Sequence, residues 1–259
     1  MFKNRKGRPA TVSVVIPLYN HASYIGEALR SVLQQTLPPI EIIVVDDGSQ
    51  DDSLAIARSF AAQDPRVIVW SQPNQDAPQA INAGLHRATG EYVAILNSDD
   101  AYLPARLERC ADAMARDPGA GCVATDLSFM DESGAEQQSA WHREALRFRA
   151  REPDAALALV NANFVMTTSN FFLRRCVLRE VGHFSRLRYA HDLDFLIRLL
   201  LAGHRLAMLD EPLVRYRLHP TNTIKERHDR VRTEWAAVAA FLAHKAARGM
   251  YAGGTPWDA

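Results

Sequence analysis

VSVVIPLYNHASYIGEALRSVLQQTLPPIEIIVVDD, residues 12–47, reads as a single βαβ unit. Its first five residues form a short β-branched run, the pattern of a parallel strand buried on both faces, and Pro17 is expected to end it. IEIIVV (40–45) repeats that pattern. Between the two, Tyr24, Ile25, Ala28, Leu29, Val32 and Leu33 fall at helical spacing, and Pro38 and Pro39 close the segment. The alternation continues outward: residues 52–63 read as helix, RVIVW (66–70) as strand, 78–88 as helix, EYVAIL (91–96) as strand and 103–115 as helix. Strands interleaved with helices imply a three-layer α/β/α sandwich around a mostly parallel central sheet.

Beyond residue 120 the rhythm loosens. GCVATDLSFM (121–130) reads as a strand, and DESGAEQQS (131–139) as a turn followed by polar residues. PDAALALVN (153–161) reads as a helix with Pro153 in its first turn, and LDFLIRLLLAG (193–203) as one ending on Gly203. Short strands follow in 204–219, then a terminal helix over 223–248. With no repeat and no long linker, the expected organisation is a basic arm (1–10), one domain (11–223) and a terminal helix and tail (224–259). Within the domain, the regular part spans residues 11–118 and the looser part 119–223.

Hydrophobic residues make up 47% and charged residues 23% of the 259, a balance that excludes wholesale disorder. Lys plus Arg and Asp plus Glu number 30 each, so bulk electrostatic binding of nucleic acid is excluded and any charged site must be local. The three cysteines, Cys110, Cys122 and Cys176, show no CxxC spacing, which indicates neither a disulfide framework nor a thiolate zinc site and fits a reducing cytoplasm. No apolar run approaches the roughly 20 residues that span a bilayer. Lys3, Arg5, Lys6 and Arg8 could touch anionic lipid at the inner face of a membrane, although a solvated terminus is the preferred reading.

In open parallel sheets, ligands bind beyond the carboxyl ends of the strands. Those positions carry PLYN (17–20), DDGSQDD (46–52) and NSDD (97–100). Asp52 is expected to cap the following helix, which leaves Asp46 and Asp47 as more acid than a turn needs. Asp99 and Asp100 are the kind of adjacent carboxylates that Mg²⁺ or Mn²⁺ requires when a diphosphate completes its shell.

This ordered set resembles glycosyltransferase family 2, whose members carry a GT-A fold, which implies a nucleotide-binding part over residues 11–118 and an acceptor and catalytic part over 119–223. The resemblance extends through GEY (90–92), RRCVLREVGHF (174–184), HDLDFLIRL (191–199) and YRLHPTNT (216–223). It implies that Pro17 and Tyr19 shape a nucleobase pocket with Asn20 beside them, and that Asp47 bonds the uracil imide. It further implies that Asp99 contacts ribose, that Asp100 binds the metal, with His219 near it, and that Asp192 is the catalytic base. His191 departs from the glutamate usual before that base. Asp194 and Arg198, four apart on a helix, are expected to pair structurally. Asn82 retains a nucleotide-facing position, but the arginine usual beside it is missing, leaving Arg106, Arg215 or the metal to meet the diphosphate charge.

The implied enzyme transfers one sugar per event, with inversion, from a nucleotide-diphospho-sugar, UDP-linked by preference, to a glycan, lipid-linked or other hydroxyl acceptor. Neither the QxxRW motif nor the membrane helices of processive members occur in the sequence. The rivals are a sugar nucleotidyltransferase, which needs a Gly-rich basic phosphate loop that does not follow the first strand, and a binding protein of the same fold without catalysis. For the terminal helix, packing on the domain or on a second subunit is preferred over contact with a membrane surface.

Overall fold

The computed structural model describes residues 10–250 apart from 221, 224 and 225. The basic arm through Pro9 and the tail from Tyr251 lie outside the described residues.

Three parallel strands follow from the opening motif and its continuation: β1 (Val12–Leu18), β2 (Glu41–Asp46) and β3 (Val67–Ser71). A fourth, β4 (Tyr92–Ile95), joins β1 in parallel on its other side. The helices between them are α1 (Ile25–Leu33), α2 (Ser53–Ala61) and α3 (Ala77–Arg87). β1 does not stop at Pro17. The Val15 carbonyl accepts from Leu96 on the β4 side, and pairing with β4 ends at Val15. The N–H that proline lacks faces that same side, so no ladder bond is lost and the strand runs on to Leu18 beside β2.

Both faces of β1, β2 and β4 are buried. Val15, Ile43, Val45, Val93 and Ile95 pack against Ala80, Ile81 and Leu85 of α3. On the opposite face Val14, Ile16, Ile42 and Val44 meet Ile25, Ala28, Leu29 and Val32 of α1, together with Leu107, Cys110 and Met114 of α4 (Arg106–Arg116). This is the expected three-layer α/β arrangement. Gly84 of α3 lies so close to β1 that an added Cβ would collide with the Val15 side chain. Gly84→Ala should therefore lower stability by about 1–3 kcal/mol through overpacking. The check is chemical denaturation, which should show an earlier midpoint at unchanged slope.

Beyond β4 the sheet becomes mixed, which local pattern could not reveal because pairing there is between distant segments. β5 (Ala101–Tyr102), β6 (Ala120–Met130), β7 (Glu136–Gln137), β8 (Phe172–Arg174) and β9 (Arg205–Arg217) extend it in the order β3-β2-β1-β4-β8-β6-β9-β5, with β7 against β6. β8 runs antiparallel to β4 and β6, whereas β6 and β9 are parallel. Residues 204–219 thus hold one long strand, broken in register near Pro212, rather than several short ones.

The remaining helices are α5 (Ala140–Arg149), α6 (Ala155–Asn161), α7 (Leu178–Val181), α8 (His191–Leu201) and α9 (His228–Met250). The sequence reading missed α5, which is short and buries only His142 and Ala145 well. Pro153 precedes α6, and Asp154 caps it by accepting from Ala156 and Leu157. Asp51, not Asp52, accepts from the Ser53 amide at the start of α2. Gly203, at φ +85°, ends α8 as expected, with His204 N–H bonding back to Leu199.

Candidate active site

The loops after β1, β2 and β4 are tied to one another at the carboxyl edge of the sheet. Asn20 adopts a left-handed φ of 50°, which asparagine tolerates. Its amide N–H donates to Ser49 Oγ and its Oδ1 accepts from Gln50 N. The next residue, His21, donates its N–H to Ser53 Oγ, and its Nδ1 lies 2.8 Å from Ser98 Oγ.

This tie carries the His21 ring to the NSDD loop. There, ring nitrogens of His21 and His219 and a carboxylate oxygen of Asp99 all lie within 4.8 Å of one another. His219 Nε2 is 2.9 Å from Asp99 Oδ2, with His219 almost fully buried. Burial opposes ionisation of Asp99, but the His219 hydrogen bond and the two nearby imidazoles outweigh it and hold the carboxyl below its usual range. Burial lowers His21 below the ordinary imidazole value, with Asp99 acting against that shift. Two imidazoles facing a carboxylate form a donor set for a divalent cation.

Asp100 faces the other way. Its Oδ2 accepts from Ser169 Oγ at 2.5 Å and its Oδ1 from the Arg217 amide at 2.8 Å. Burial, and then the neighbouring Asp99 carboxylate, push its carboxyl well above the usual range. Of the two adjacent carboxylates, Asp99 thus faces the histidines, whereas Asp100, expected from sequence to take the metal with Asp99 on the ribose, is engaged by the distant Ser169 and Arg217. Arg217, buried to 1%, supports the NSDD loop by donating to the Asp99 carbonyl and pairing with Glu27.

Asp192 opens α8 and is 8% exposed. Asn163 Nδ2 donates to its Oδ2 at 2.7 Å, and the Leu193 amide donates to Oδ1 at 2.8 Å. Burial raises its carboxyl above the ordinary value, against the opposing influence of His191. Burial, then the charges of Asp100, Asp99 and Asp192 in that order, push the Tyr216 phenol pKa far up. Asp194 pairs with Arg198 at 2.8 Å, the expected i,i+4 ion pair. Asn163 and His21 were missed from sequence; His21 directly follows PLYN, and Asn163 carried no signal.

Asp47 is 2% exposed and accepts from Gln72 Nε2 at 2.8 Å and from the Gln75 amide at 3.0 Å. Asp46, wholly buried, accepts from Ser71 Oγ. Tyr19 is 45% exposed beside this pair, at the end of the strand that contains Pro17. A cavity of about 310 Å³ opens next to Asp47, lined by Gln75, Asp76, Pro78, Gln79 and Arg186. Asn82 does not face it, because both ends of its amide are spent on the Phe184 backbone at 2.9 Å. Arg106 and Arg215 are likewise engaged elsewhere. Arg106 is buried on Thr125, Asn170 and the Ser169 carbonyl, and Arg215 is held by Glu27 and the Gly134 carbonyl.

The sequence matches the family model described as Glycosyl transferase family 2 over residues 13–182. A chondroitin synthase of Escherichia coli is 37% identical over 127 residues, which are 49% of this chain and 18% of that protein. An uncharacterized glycosyltransferase of Nostoc sp., alr2836, is 32% identical over 213 residues, 82% of this chain and 66% of the relative. The chain thus spans less than a fifth of the first and about two thirds of the second. Among solved structures, S. aureus TarS 1–349 in complex with UDP-GlcNAc aligns with a TM-score of 0.71 at 20% identity, over 91% of this chain and 66% of that one. At that identity the likeness is one of fold.

Proposed function

The chain belongs to glycosyl transferase family 2, and from that membership we propose that it transfers a single sugar from a nucleotide-diphospho-sugar, UDP-linked, to an acceptor hydroxyl with inversion. The observation that carries this reading is the convergence of His21, Asp99 and His219 at the sheet edge where the Asp47 loop also lies. The TarS fold neighbour in complex with UDP-GlcNAc and with UDP supports a uridine donor.

On this reading Pro17, Tyr19 and Asn20 border the nucleobase, with the exposed Tyr19 ring as a stacking surface. Asp47 accepts from two protein N–H groups, Gln72 Nε2 and the Gln75 amide shared between its two oxygens, and a carboxylate has about four acceptor positions, so capacity remains for an imide N–H. His21, Asp99 and His219 would hold the divalent cation, and a set of two imidazoles and one carboxylate suits Mn²⁺ better than Mg²⁺. When bound, such a cation neutralises charge on the donor diphosphate.

Asp192 takes the proton of the acceptor hydroxyl. The acceptor oxygen then bonds to the anomeric carbon as the bond to the diphosphate oxygen breaks on the opposite face, which inverts the centre. A raised carboxyl pKa makes Asp192 a better proton acceptor once ionised. No enzymic nucleophile is needed for a single displacement. The acceptor is a glycan, lipid-linked or other hydroxyl; no helix among the described residues is long and apolar enough to cross a membrane.

A thermal-shift screen of nucleotide-sugars with Mn²⁺ and with EDTA tests the reading. A ligand at 100 times its Kd adds about 2.7 kcal/mol. At about 2–4 °C per kcal/mol for a chain of this size, UDP-sugars should raise Tm by roughly 5–10 °C with Mn²⁺ and much less with EDTA. No shift with any nucleoside diphosphate would count against a transferase.

A further inference from the structure

α9 lies outside the residues matched to the family, yet it touches both segments that place Asp192. α8 begins poorly by its own means, since Ala190 at its N-cap has no side-chain acceptor. Glu234 of α9 supplies one from 44 residues away. Its Oε1 accepts from the Arg188 amide at 3.1 Å, and its Oε2 from the amides of Tyr189 at 2.7 Å and Ala190 at 3.1 Å. Three N–H groups ahead of a helix, gathered by one carboxylate, fix where that helix starts and place negative charge at the positive end of its dipole. Asp192 lies two residues beyond Ala190.

The neighbouring residue, Trp235, donates its indole N–H to the Val160 carbonyl at 2.7 Å. Val160 lies in α6, three residues before Asn163, the side chain that donates to Asp192 Oδ2. The loop is held from outside as well: Arg188 grips Glu226 with two nitrogens and reaches Asp76, beside the cavity near Asp47.

We propose that Glu234, with Trp235 beside it, is a positioning residue that sets the Asp192 carboxylate by clamping the entry of α8 from α9. This rests on the reading of Asp192 as the base. A carboxylate with two of its own hydrogen bonds still needs its backbone held, because a misplacement of about 1 Å costs on the order of 10²-fold in rate.

The test compares the parent chain with Glu234→Ala, Glu234→Gln and Asp192→Asn. Amide hydrogen exchange, which needs neither donor nor acceptor, should quicken about tenfold or more in Glu234→Ala at Arg188, Tyr189, Ala190 and Leu193. The amides of residues 236–246 should keep their protection. UDP release from UDP-GlcNAc should fall about tenfold with UDP affinity unchanged, and Glu234→Gln, which keeps an acceptor oxygen, should recover most of it. Unchanged exchange at 188–193, equal loss of protection along α9, or UDP affinity falling in step with turnover would each overturn the proposal. Parent-level turnover in Asp192→Asn would sink the base assignment instead, and the exchange result would still decide whether Glu234 holds the start of α8.

Discussion

Asp192→Asn lowers sugar transfer by about 10²–10⁴-fold, the usual worth of a general base, while UDP affinity stays at the parent value. The substitution keeps size and removes the proton acceptor, and the hydrogen bonds of this side chain run to Asn163 and the Leu193 amide, not to the Asp47 loop. The pH profile gives a second check. A base works only when ionised, and burial raises this carboxyl, so turnover in the parent falls as pH drops through a value above the ordinary carboxylate range. The residual activity of the Asn variant lacks that limb. Transfer that survives in Asp192→Asn but is lost in a folded Asp194→Asn would move the base to Asp194, although its ion pair with Arg198 argues for a structural role.

Asp99→Ala should abolish cation-dependent UDP binding. It removes the only carboxylate among three donor groups, a larger change than loss of an outer-shell partner, which by itself costs about 10–100-fold in metal affinity. Asp100→Asn is the contrasting variant. Its side chain is committed to Ser169 and the Arg217 amide, so cation-dependent binding should persist, with any cost falling on stability. Calorimetry of UDP with Mn²⁺ on both variants separates the two carboxylates. Loss in Asp100→Asn with retention in Asp99→Ala would restore the assignment expected from sequence.

The two adjacent aspartates show where the sequence was legible and where it was not. The β-branched runs of β1, β2 and β4 are local signals, so the strands, the helices between them and the acidic loops at their ends could be read directly. Which of two adjacent aspartates faces outward depends on Ser169 and Arg217, respectively 69 and 117 residues beyond Asp100. The same holds for Asn82, whose amide is taken by the Phe184 backbone 102 residues away, and for Arg106, drawn into the core by Thr125 and Asn170. His21 was legible in principle, because a histidine directly after a strand-end motif is placed to face the site. Glu234 was not, since a glutamate on a terminal helix looks like any solvated charge until the backbone it captures is known.

Titration of UDP into the parent chain by calorimetry, once with Mn²⁺ and once with EDTA, tests the central claim most directly. The account predicts binding with Mn²⁺ and an affinity at least about tenfold weaker with EDTA, since a diphosphate beside the Asp99 carboxylate carries uncompensated charge without a cation. Equal affinity in the two titrations, or no binding of UDP in either, would contradict it.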